Sequence, residues 1–356
     1  MQAIVLVGGE GMRLRPLTES VPKPALTLVD RPFLAHMIEW LAGHGVTEVV
    51  LACGFLPDVL REALAGEEER AGVRIRYAVE PERRGTAGAI RFAADQLGEG
   101  LEERFLALNG DVLTDLDLSA LLDFHVTTRS GTPTRSGAPY GPDRSIRRTG
   151  SGSGGGGGGR ATIALHPVED SSVYGLVRRG EGGAVLEFLE KTGEAVPGEI
   201  NAGIYVLERS VLNLIPPGEE VSIERDVFPR LAGEGLHGLR LDGYWMDIGT
   251  PERYLRASWD ILEGRVATRV VPTAPGMLVA AGAEVAAGAT VGPRAVVGPG
   301  ARVEEGAEVR ESVLLDGCSV GRGARVHGSI LAPGAEVAAG ARLDGVTAGR
   351  DERVSG

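Results

Sequence analysis

Glycines and cations stand close together near the start of the chain, where they could bind a polyphosphate. Residues 8–24 read GGEGMRLRPLTESVPKP and follow an apolar run, residues 3–7, that is predicted to be a buried strand. Glycines at a strand end allow backbone amides to approach a phosphate closely. Arg13, Arg15 and Lys23 add positive charge to the same loop. The spacing therefore predicts an anion cradle.

Two aspartates far apart in sequence could hold a hard cation. Asp111 ends the sequence LNGD, directly after the predicted strand 104–108, and Asp247 lies in YWMDIG before a predicted helix that begins at Thr250 and Pro251. Magnesium prefers a few carboxylates together with substrate phosphates. Taken alone, each aspartate would more often be a turn or cap residue than a metal ligand.

Apolar periodicity predicts that strands and helices alternate over the first 111 residues. The predicted helices are 31–43, 57–64 and 85–97, and the predicted strands after the first are 46–53, 73–79 and 104–108. Such alternation is typical of an α/β protein with a mostly parallel sheet covered by helices. Ligands of such sheets bind at the carboxyl ends of the strands. Gly8 and Asp111 both lie at such ends.

Residues 127–160 interrupt this pattern. They contain SGSGGGGGG, scattered arginines and almost no apolar side chains. Such a composition cannot bury enough surface to fold, so we predict a disordered loop between a helix ending near Phe124 and a strand at 162–165. The loop could be a regulatory or partner-binding insert, a tolerated surface insertion or an error in the gene model.

A six-residue period begins near residue 270 and continues to about residue 347. Aliphatic residues recur at this spacing at positions 279, 285, 291, 297, 303 and 309, then at 314, 320 and 326, and again at 331, 337 and 343. Hexapeptide repeats of this kind resemble those of a left-handed parallel β-helix, here with about four coils. We therefore predict two domains, residues 1–264 and 265–356. A low-complexity Ala/Gly/Val linker is the alternative.

Bulk composition narrows the class of protein. The chain has 356 residues, 43% of them hydrophobic, and a net charge of −12, which argues against a nucleic-acid-binding surface. Cys53 and Cys318 are predicted to be reduced packing residues. The sequence shows neither a signal peptide nor an apolar run of membrane-spanning length. We therefore predict a cytoplasmic protein that does not bind membranes.

The motifs together resemble those of the sugar-nucleotide pyrophosphorylases, which are nucleotidyltransferases acting on sugar 1-phosphates. The resemblance rests on residues 8–24, with RPFLAHMIEWL at 31–41, and extends from Met1 to about Gly264. It implies transfer of a nucleotidyl group from an NTP to a sugar 1-phosphate, with Mg²⁺, giving an NDP-sugar and pyrophosphate. The GTAG and VGG segments favour GTP, and the resemblance as a whole favours mannose 1-phosphate.

The resemblance also implies roles for individual residues. The catalytic residues would be Arg13, Lys23 and Asp111, and the metal ligands Asp111 and Asp247. The nucleotide would be bound by Leu6, Val7, Gly8, Gly9, Gly11, Arg13, Gly85, Thr86 and Ala87. The sugar phosphate would be bound by Asn109, Gly110, Gly175, Glu190, Lys191 and Asn201. Met12 departs from the family, which usually has threonine there, and its side chain is expected to face away from the ligand.

Other functions remain open from sequence alone. The same chemistry could use glucose 1-phosphate with dTTP or UTP, or a heptose 1-phosphate with GTP. A chain of another class would be a non-catalytic regulatory subunit that binds a sugar nucleotide. The β-helix could be an acyltransferase, although His327 is the only histidine in residues 265–356. We expect this domain instead to mediate homo-oligomerisation or regulation.

Overall fold

The computed structural model describes residues 1–130, 158–189, 193 and 195–355. Glu190 and Lys191, both predicted to bind the sugar phosphate, lie outside the described residues, as does the middle of the predicted insert, 131–157. The described residues contain no helix that is long and apolar enough to cross a membrane. Cys53 and Cys318 are both buried and unbridged, as predicted.

The first part of the chain alternates strands and helices and then continues with mostly antiparallel strands. The strands are Gln2–Leu6 (β1), Thr27–Leu28 (β2), Arg31–Pro32 (β3), Glu48–Cys53 (β4), Arg74–Val79 (β5), Arg104–Asn109 (β6), Val112–Thr114 (β7), Ala161–Val168 (β8), Leu176–Arg179 (β9), Val185–Leu189 (β10), Gly198–Glu208 (β11), Leu236–Arg240 (β12) and Trp245–Asp247 (β13). The helices are Phe33–Gly43 (α1), Pro57–Ala63 (α2), Glu67–Ala71 (α3), Gly85–Leu97 (α4), Leu118–Ser130 (α5), Phe228–Leu231 (α6) and Pro251–Leu262 (α7).

A nine-stranded sheet forms the centre of this part, with its main path in the order β10–β9–β11–β6–β1–β4–β5. Strands β6, β1, β4 and β5 are parallel, and β11 joins β6 antiparallel. Every residue of β4 is buried, as expected for a parallel strand covered on both faces. The α/β fold is therefore confirmed, and the antiparallel strands extend it on one side.

The apolar cores on the two faces of the sheet fix where the strands end. Helix α1 packs Leu34, Ile38 and Leu41 into the core on one face, and α4 packs Ile90 and Ala93 into the core on the other. Strands β1 and β6 are in register, with Leu6 opposite Asn109. The loops that follow these two strands therefore leave the sheet at one edge, which brings the first glycine loop next to Asp111.

The predicted insert begins later than the sequence indicated. Helix α5 does not end near Phe124 but runs to Ser130, so residues 127–130 are helical. The hydroxyls of Thr127 and Ser130 bond back to carbonyls one helical turn earlier, which lets these polar residues continue the helix. The chain is described again from Gly158, where an added Cβ would lie 2.7 Å from the carbonyl oxygen of Arg129.

The C-terminal part is a left-handed parallel β-helix, as predicted. Its strands are Met277–Val279 (β14), Glu284–Val285 (β15), Thr290–Val291 (β16), Ala295–Val297 (β17), Arg302–Val303 (β18), Glu308–Arg310 (β19), Val313–Leu314 (β20), Ser319–Val320 (β21), Arg325–His327 (β22), Ile330–Leu331 (β23), Glu336–Val337 (β24), Arg342–Asp344 (β25), Thr347–Ala348 (β26) and Arg353–Val354 (β27). They form three parallel sheets, which are the sides of a triangular coil. From Val297 onwards the aliphatic residues of the six-residue period fill its interior, whereas Val285 in the first coil is exposed.

One side of the β-helix packs against the α/β part. On this side the outward-facing residues Leu278, Val296, Val313 and Ile330 are buried in one core with residues such as Tyr254 of α7. On the second side the residues at the equivalent position are Glu284, Arg302, Ser319, Glu336 and Arg353. The apolar side is therefore the one that docks.

Candidate active site

The first glycine loop offers unpaired backbone donors. Gly8, Gly9 and Glu10 are exposed after β1, and in the described part of the chain the amides of residues 8–11 donate to no acceptor. Gly11 has a φ of +64°, and a Cβ there would lie 3.0 Å from Thr18, whose hydroxyl donates to the Gly11 carbonyl at 2.8 Å. The loop thus has a fixed shape and free amides, as a phosphate cradle requires.

Arg13 lies across the loop from the segment that carries Asp247. A Cβ built on Gly249 would lie 2.8 Å from Nη2 of Arg13, so the guanidinium packs directly over this glycine. Met12, the departure from the family pattern, is 66% exposed. Its side chain points into solvent, as expected, while Arg13 reaches the site.

Lys23 and Asp111 form an ion pair within the site. Nζ of Lys23 donates to Oδ2 of Asp111 at 3.0 Å, and the lysine side chain is only 10% exposed. Burial lowers the pKa of Lys23, and the neighbouring Asp111 carboxylate opposes that shift. The two residues are 88 positions apart in sequence, and the fold brings them together.

A two-stranded sheet, β7 with β13, brings Asp111 and Asp247 together. Asp247 lies opposite Val112, and the amide of Ile248 donates to the Asp111 carbonyl at 2.8 Å. Oδ1 of Asp247 accepts hydrogen bonds from the Tyr174 hydroxyl, at 2.9 Å, and from Arg253. Asp111 therefore lies directly before β7, and Asp247 lies at the end of the neighbouring strand β13.

The donor set fits a hard divalent cation. One oxygen of each carboxylate is bound by a neighbouring donor, whereas Oδ1 of Asp111 and Oδ2 of Asp247 have no hydrogen-bond partner among the described residues. Neighbours that bind one oxygen orient the other. No group of three or more potential ligands forms among the described residues, so substrate phosphates would have to complete the coordination.

Arg253 and Tyr174 are site residues that we did not predict as ligands or catalysts. The Arg253 guanidinium contacts Asp247 and lies 5.6 Å from the centre of the Tyr174 ring. Thr250 caps α7 by accepting from the Arg253 amide, which places this arginine in the first turn of the helix. The predicted helix start at Thr250 and Pro251 could have indicated Arg253. Side chains in a first helical turn lie next to the end of the preceding strand, which here carries Asp247.

Gly110 of the LNGD segment lies in close contact with the end of β1. The Gly110 amide donates to the Leu6 carbonyl at 2.9 Å, and a Cβ on Gly110 would lie 2.6 Å from the same oxygen. Asn109 packs against Gly203, which has a φ of +72°. Gly110 is therefore needed for the close contact of β1 and β6, and its contact with a sugar phosphate remains a prediction.

Asn201 and the Tyr174–Gly175 segment converge on the same region. The Asn201 amide accepts from the Gly203 amide and donates to the Tyr205 hydroxyl, both at 2.9 Å. Trp245 connects the two segments, since its indole donates to the Ala202 carbonyl and its ring lies 5.6 Å from that of Tyr174. Gly175 follows Tyr174 and precedes β9. The sugar-binding roles of Asn201 and Gly175 stay predictions.

The start of α4 packs against the backbone of Val221. Gly85 has a φ of +67°, and a Cβ there would lie 2.6 Å from the Val221 carbonyl oxygen. The amides of Ala87 and Gly88 both donate to that carbonyl, at 2.9 and 3.2 Å, and so are not free for a ligand. The Thr86 hydroxyl donates to Glu224 at 2.9 Å. Nucleotide binding by Gly85, Thr86 and Ala87 remains a prediction.

A further carboxylate faces the first glycine loop. Oε1 of Glu80 lies 3.7 Å from the position that a Cβ on Gly8 would occupy. Burial raises the pKa of Glu80, and Arg84 opposes that shift. Glu80 follows β5 at the edge of the sheet where the loop begins, so it borders the predicted nucleotide site.

The chain belongs to the nucleotidyl transferase family, whose model matches residues 2–144 and 154–264. Residues 273–355 match a second model, the GMPPB C-terminal domain. The fold also resembles the crystal structure of HddC from Yersinia pseudotuberculosis, with a TM-score of 0.57, 23% identity, and coverage of 73% of this chain and 99% of that one. That protein has also been solved in complex with GMP-PN.

Curated relatives are more similar in sequence. Mannose-1-phosphate guanylyltransferase of Mycobacterium tuberculosis is 38% identical over 267 residues, which cover 74% of this chain and 65% of that protein. Probable mannose-1-phosphate guanylyltransferase 1 of Oryza sativa is 39% identical, with 72% and 63% covered, and mannose-1-phosphate guanyltransferase of Yarrowia lipolytica is 37% identical, with 72% and 62% covered. The chain thus spans less than two thirds of the length of these three relatives.

Proposed function

We propose that this chain transfers the guanylyl group of GTP to mannose 1-phosphate, giving GDP-mannose and pyrophosphate. The observation that carries the proposal is the convergence of four predicted residues at one sheet edge. Lys23 is bonded to Asp111, Asp111 directly precedes the strand that pairs with the strand ending in Asp247, and Arg13 packs over Gly249. These cations and carboxylates border the free amides of residues 8–11. Such a site suits phosphate chemistry, in which positioning and charge stabilisation supply most of the catalysis.

The reaction needs no protein nucleophile. A phosphate oxygen of mannose 1-phosphate attacks the α-phosphorus of GTP, and the bond from that phosphorus to the β-phosphate oxygen breaks, so pyrophosphate leaves. Arg13 and the amides of the first loop would hold the leaving pyrophosphate. Lys23 would stabilise charge between the α-phosphate and the sugar phosphate. A magnesium ion bound by Asp111 and Asp247 would neutralise charge on the phosphate oxygens.

Glu80 supports guanine as the base. The edge of guanine that pairs in nucleic acids presents two adjacent donors, N1–H and the N2 amino group, whereas thymine and uracil present a single N–H between two carbonyl oxygens. An ionised carboxylate only accepts hydrogen bonds. A carboxylate beside the first loop therefore suits guanine and repels the carbonyl oxygens of thymine and uracil. The names of the relatives support the same base, and they support mannose 1-phosphate as the acceptor.

The deciding experiment is a substrate panel. Pyrophosphate release would be measured with Mg²⁺, pairing GTP, dTTP, UTP, ATP and CTP with mannose 1-phosphate, glucose 1-phosphate and a heptose 1-phosphate. We expect turnover confined to GTP with mannose 1-phosphate. Turnover with dTTP or UTP and glucose 1-phosphate, or with GTP and only the heptose, would replace the proposed substrates. Folded protein that binds GDP-mannose but turns over no pair would identify a regulatory subunit.

The lysine content allows a separate test of the site. The chain contains two lysines, Lys23 and Lys191, and 35 arginines. An amine-selective reagent can therefore modify only these two side chains and the N-terminus. We expect labelling at Lys23 to abolish turnover, and GTP with mannose 1-phosphate to protect it. Full activity with Lys23 labelled would contradict its role in the site.

We assign the reaction to residues 1–264 and a role in assembly to residues 265–356. Every predicted site residue precedes residue 265, and the β-helix packs its apolar side on the α/β part. Sedimentation of the full chain would show whether it forms the homo-oligomer that we predict. A monomer at working concentrations would contradict that assignment.

A further inference from the structure

A chain of hydrogen bonds connects the two predicted substrate sites through one carboxylate. Asn201 donates through Nδ2 to the Tyr205 hydroxyl at 2.9 Å, and that hydroxyl lies 3.2 Å from Oε1 of Glu224. On the other side, the Thr86 hydroxyl donates to Oε2 of Glu224 at 2.9 Å. The Ser222 hydroxyl also donates to Oε2, at 2.9 Å. Glu224 therefore stands between residues of the predicted sugar and nucleotide sites.

The carboxylate determines the direction of every bond in this chain. Because a carboxylate only accepts, the hydroxyls of Tyr205 and Thr86 must both donate to Glu224. Tyr205 is fully buried, and burial raises the pKa of its hydroxyl, so it retains its proton. Because the single hydroxyl proton of Tyr205 is donated to Glu224, the hydroxyl oxygen can only accept from Asn201. The Asn201 atom facing it must then be the amino nitrogen, which leaves Oδ1 for the Gly203 amide.

The Thr86 side of the chain fixes the start of α4 in the same way. The Thr86 hydroxyl donates to Glu224 and accepts from the Ile223 amide at 2.8 Å. The amides of Ala87 and Gly88 donate to the Val221 carbonyl. The segment that carries Glu224 therefore binds the first turn of α4 through four hydrogen bonds.

We propose that Glu224 is a positioning residue that fixes the Asn201 amide in the sugar site and the first turn of α4 in the nucleotide site, and so couples the two. The proposal rests on the proposed function, since it takes Asn201 and Thr86 to border the two substrates. Networks of this kind are worth more than their separate bonds when each member is satisfied. Replacing the acceptor-only carboxylate by an amide introduces a donor and removes the fixed direction.

The test separates the two KM values. Tyr205→Phe should raise the KM for mannose 1-phosphate roughly threefold to tenfold and leave that for GTP unchanged, and Thr86→Val should do the reverse. Glu224→Gln should raise both, and adding Tyr205→Phe to it should raise the KM for mannose 1-phosphate no further. Glu220→Gln is the matched control, because Glu220 is an exposed carboxylate of the same segment that bonds to no described residue of either site. It should change neither KM.

Two readouts keep this inference distinct from the proposed function. Turnover by the unmodified chain tests the function, and the KM pattern of the variants tests the coupling. The affinity of GDP-mannose, measured by calorimetry, tests the coupling without turnover, and we expect Glu224→Gln to weaken it about tenfold. A folded Glu224→Gln variant with unchanged affinity and KM values would overturn the proposal. Should that variant not fold, equal effects of Tyr205→Phe on both KM values would overturn it.

Discussion

Lys23 carries the strongest signal at the scale of single residues. The chain uses arginine for 35 of its 37 basic side chains, and its two lysines, Lys23 and Lys191, were both predicted to be site residues. A guanidinium is a planar fork, whereas an ammonium is a compact point charge, so the two are not interchangeable where space is limited. The Lys23 side chain is 10% exposed and bonds Asp111, so a compact cation is what this site accommodates.

We expect Lys23→Arg to lower kcat about 10²–10³-fold although it preserves the charge. The larger guanidinium would not fit beside Asp111 without moving the loop. Steady-state kinetics would measure the loss, and thermal unfolding would check that the variant folds. Lys23→Gln is the matched control for charge and should lose at least as much. If Lys23→Arg keeps nearly full activity, the site requires only a positive charge.

Gly249 provides an independent test of the Arg13 position. A Cβ at residue 249 would lie 2.8 Å from Nη2 of Arg13, so Gly249→Ala should displace the guanidinium. We expect kcat to fall at least tenfold while the unfolding midpoint changes little, since the clash is with the end of a flexible side chain. Gly100→Ala would control for glycine replacement, because nothing lies within 4 Å of its Cβ position and its φ is not positive. Unchanged kcat in Gly249→Ala would show that Arg13 is not needed where it lies.

At the scale of elements, a buried polar network joins α5, β6, β8 and β11 at the end of the sheet opposite the site. The Glu208 carboxylate is bound by Arg104, His125 and Arg129 at 2.7 to 3.0 Å, and its side chain is 6% exposed. His125 donates to Glu208, so its other ring nitrogen accepts from the Thr162 hydroxyl at 2.8 Å. Both oxygens of the Glu208 carboxylate are bonded, which explains how a carboxylate is tolerated there.

We expect Glu208→Gln to destabilise the chain by about 2 kcal/mol, because it removes the charge that pairs with the partly exposed Arg104 and Arg129 and places an amide donor beside their guanidinium groups. Denaturant unfolding would measure this. Glu187→Gln is the matched control, since Glu187 forms an exposed pair with Arg178, and it should change stability by less than about 0.5 kcal/mol. Equal effects of the two substitutions would mean that the Glu208 network contributes no more than a surface pair.

The same network predicts a loss of stability in acid. Burial lowers the pKa of His125 in the folded chain. As pH falls below about 6.5, the unfolded chain therefore takes up a proton at this histidine before the folded chain does, and the free energy of unfolding decreases. Burial alone would raise the pKa of Glu208, but hydrogen bonds from His125 and Arg104 outweigh it and lower that pKa. The Glu208 carboxylate stabilises the folded chain fully at pH values above its unfolded pKa, near 4.5. That stabilisation is lost as pH falls through the lower pKa of the folded chain. Unfolding midpoints should therefore decline from pH 6.5 downwards, and below about pH 4.5 the unmodified chain should lose more stability than Glu208→Gln, which lacks the Glu208 contribution.

At the scale of the whole molecule, the β-helix and the α/β part share a hydrophobic core. Leu278, Val296, Val313 and Ile330 supply the β-helix side of that core. The β-helix also reaches the loop that carries Arg13, since a Cβ on Gly349 would lie 3.4 Å from Pro16. The two parts should therefore unfold together.

We expect Val313→Glu to destabilise the chain by about 4 kcal/mol or more, because it buries an unpaired charge between the two parts. Ser319→Glu places the same residue at the equivalent position on the second side of the β-helix, next to Arg302, and should cost little. Calorimetry would show one transition for the unmodified chain and two for Val313→Glu. One unchanged transition in Val313→Glu would contradict a shared core.

The sequence by itself determined the elements and the chemistry. Periodicity predicted α4 at 85–97, as observed, and the six-residue period predicted the β-helix, because a buried face imposes its own spacing on apolar residues. The sequence could also have predicted which side of the β-helix docks, because position 313 and its outward-facing equivalents are apolar on only one side. The motifs predicted Arg13, Lys23, Asp111 and Asp247 as site residues.

Only the tertiary structure decided which residues meet and which backbone groups remain free. The Lys23–Asp111 pair, the Arg253–Asp247 contact and the chain through Glu224 join residues from separate segments. The amides of Ala87 and Gly88 look available in sequence but are bound to Val221, 133 to 134 positions later. Local propensity acts over a few residues, whereas these contacts depend on how the sheet places distant strand ends side by side.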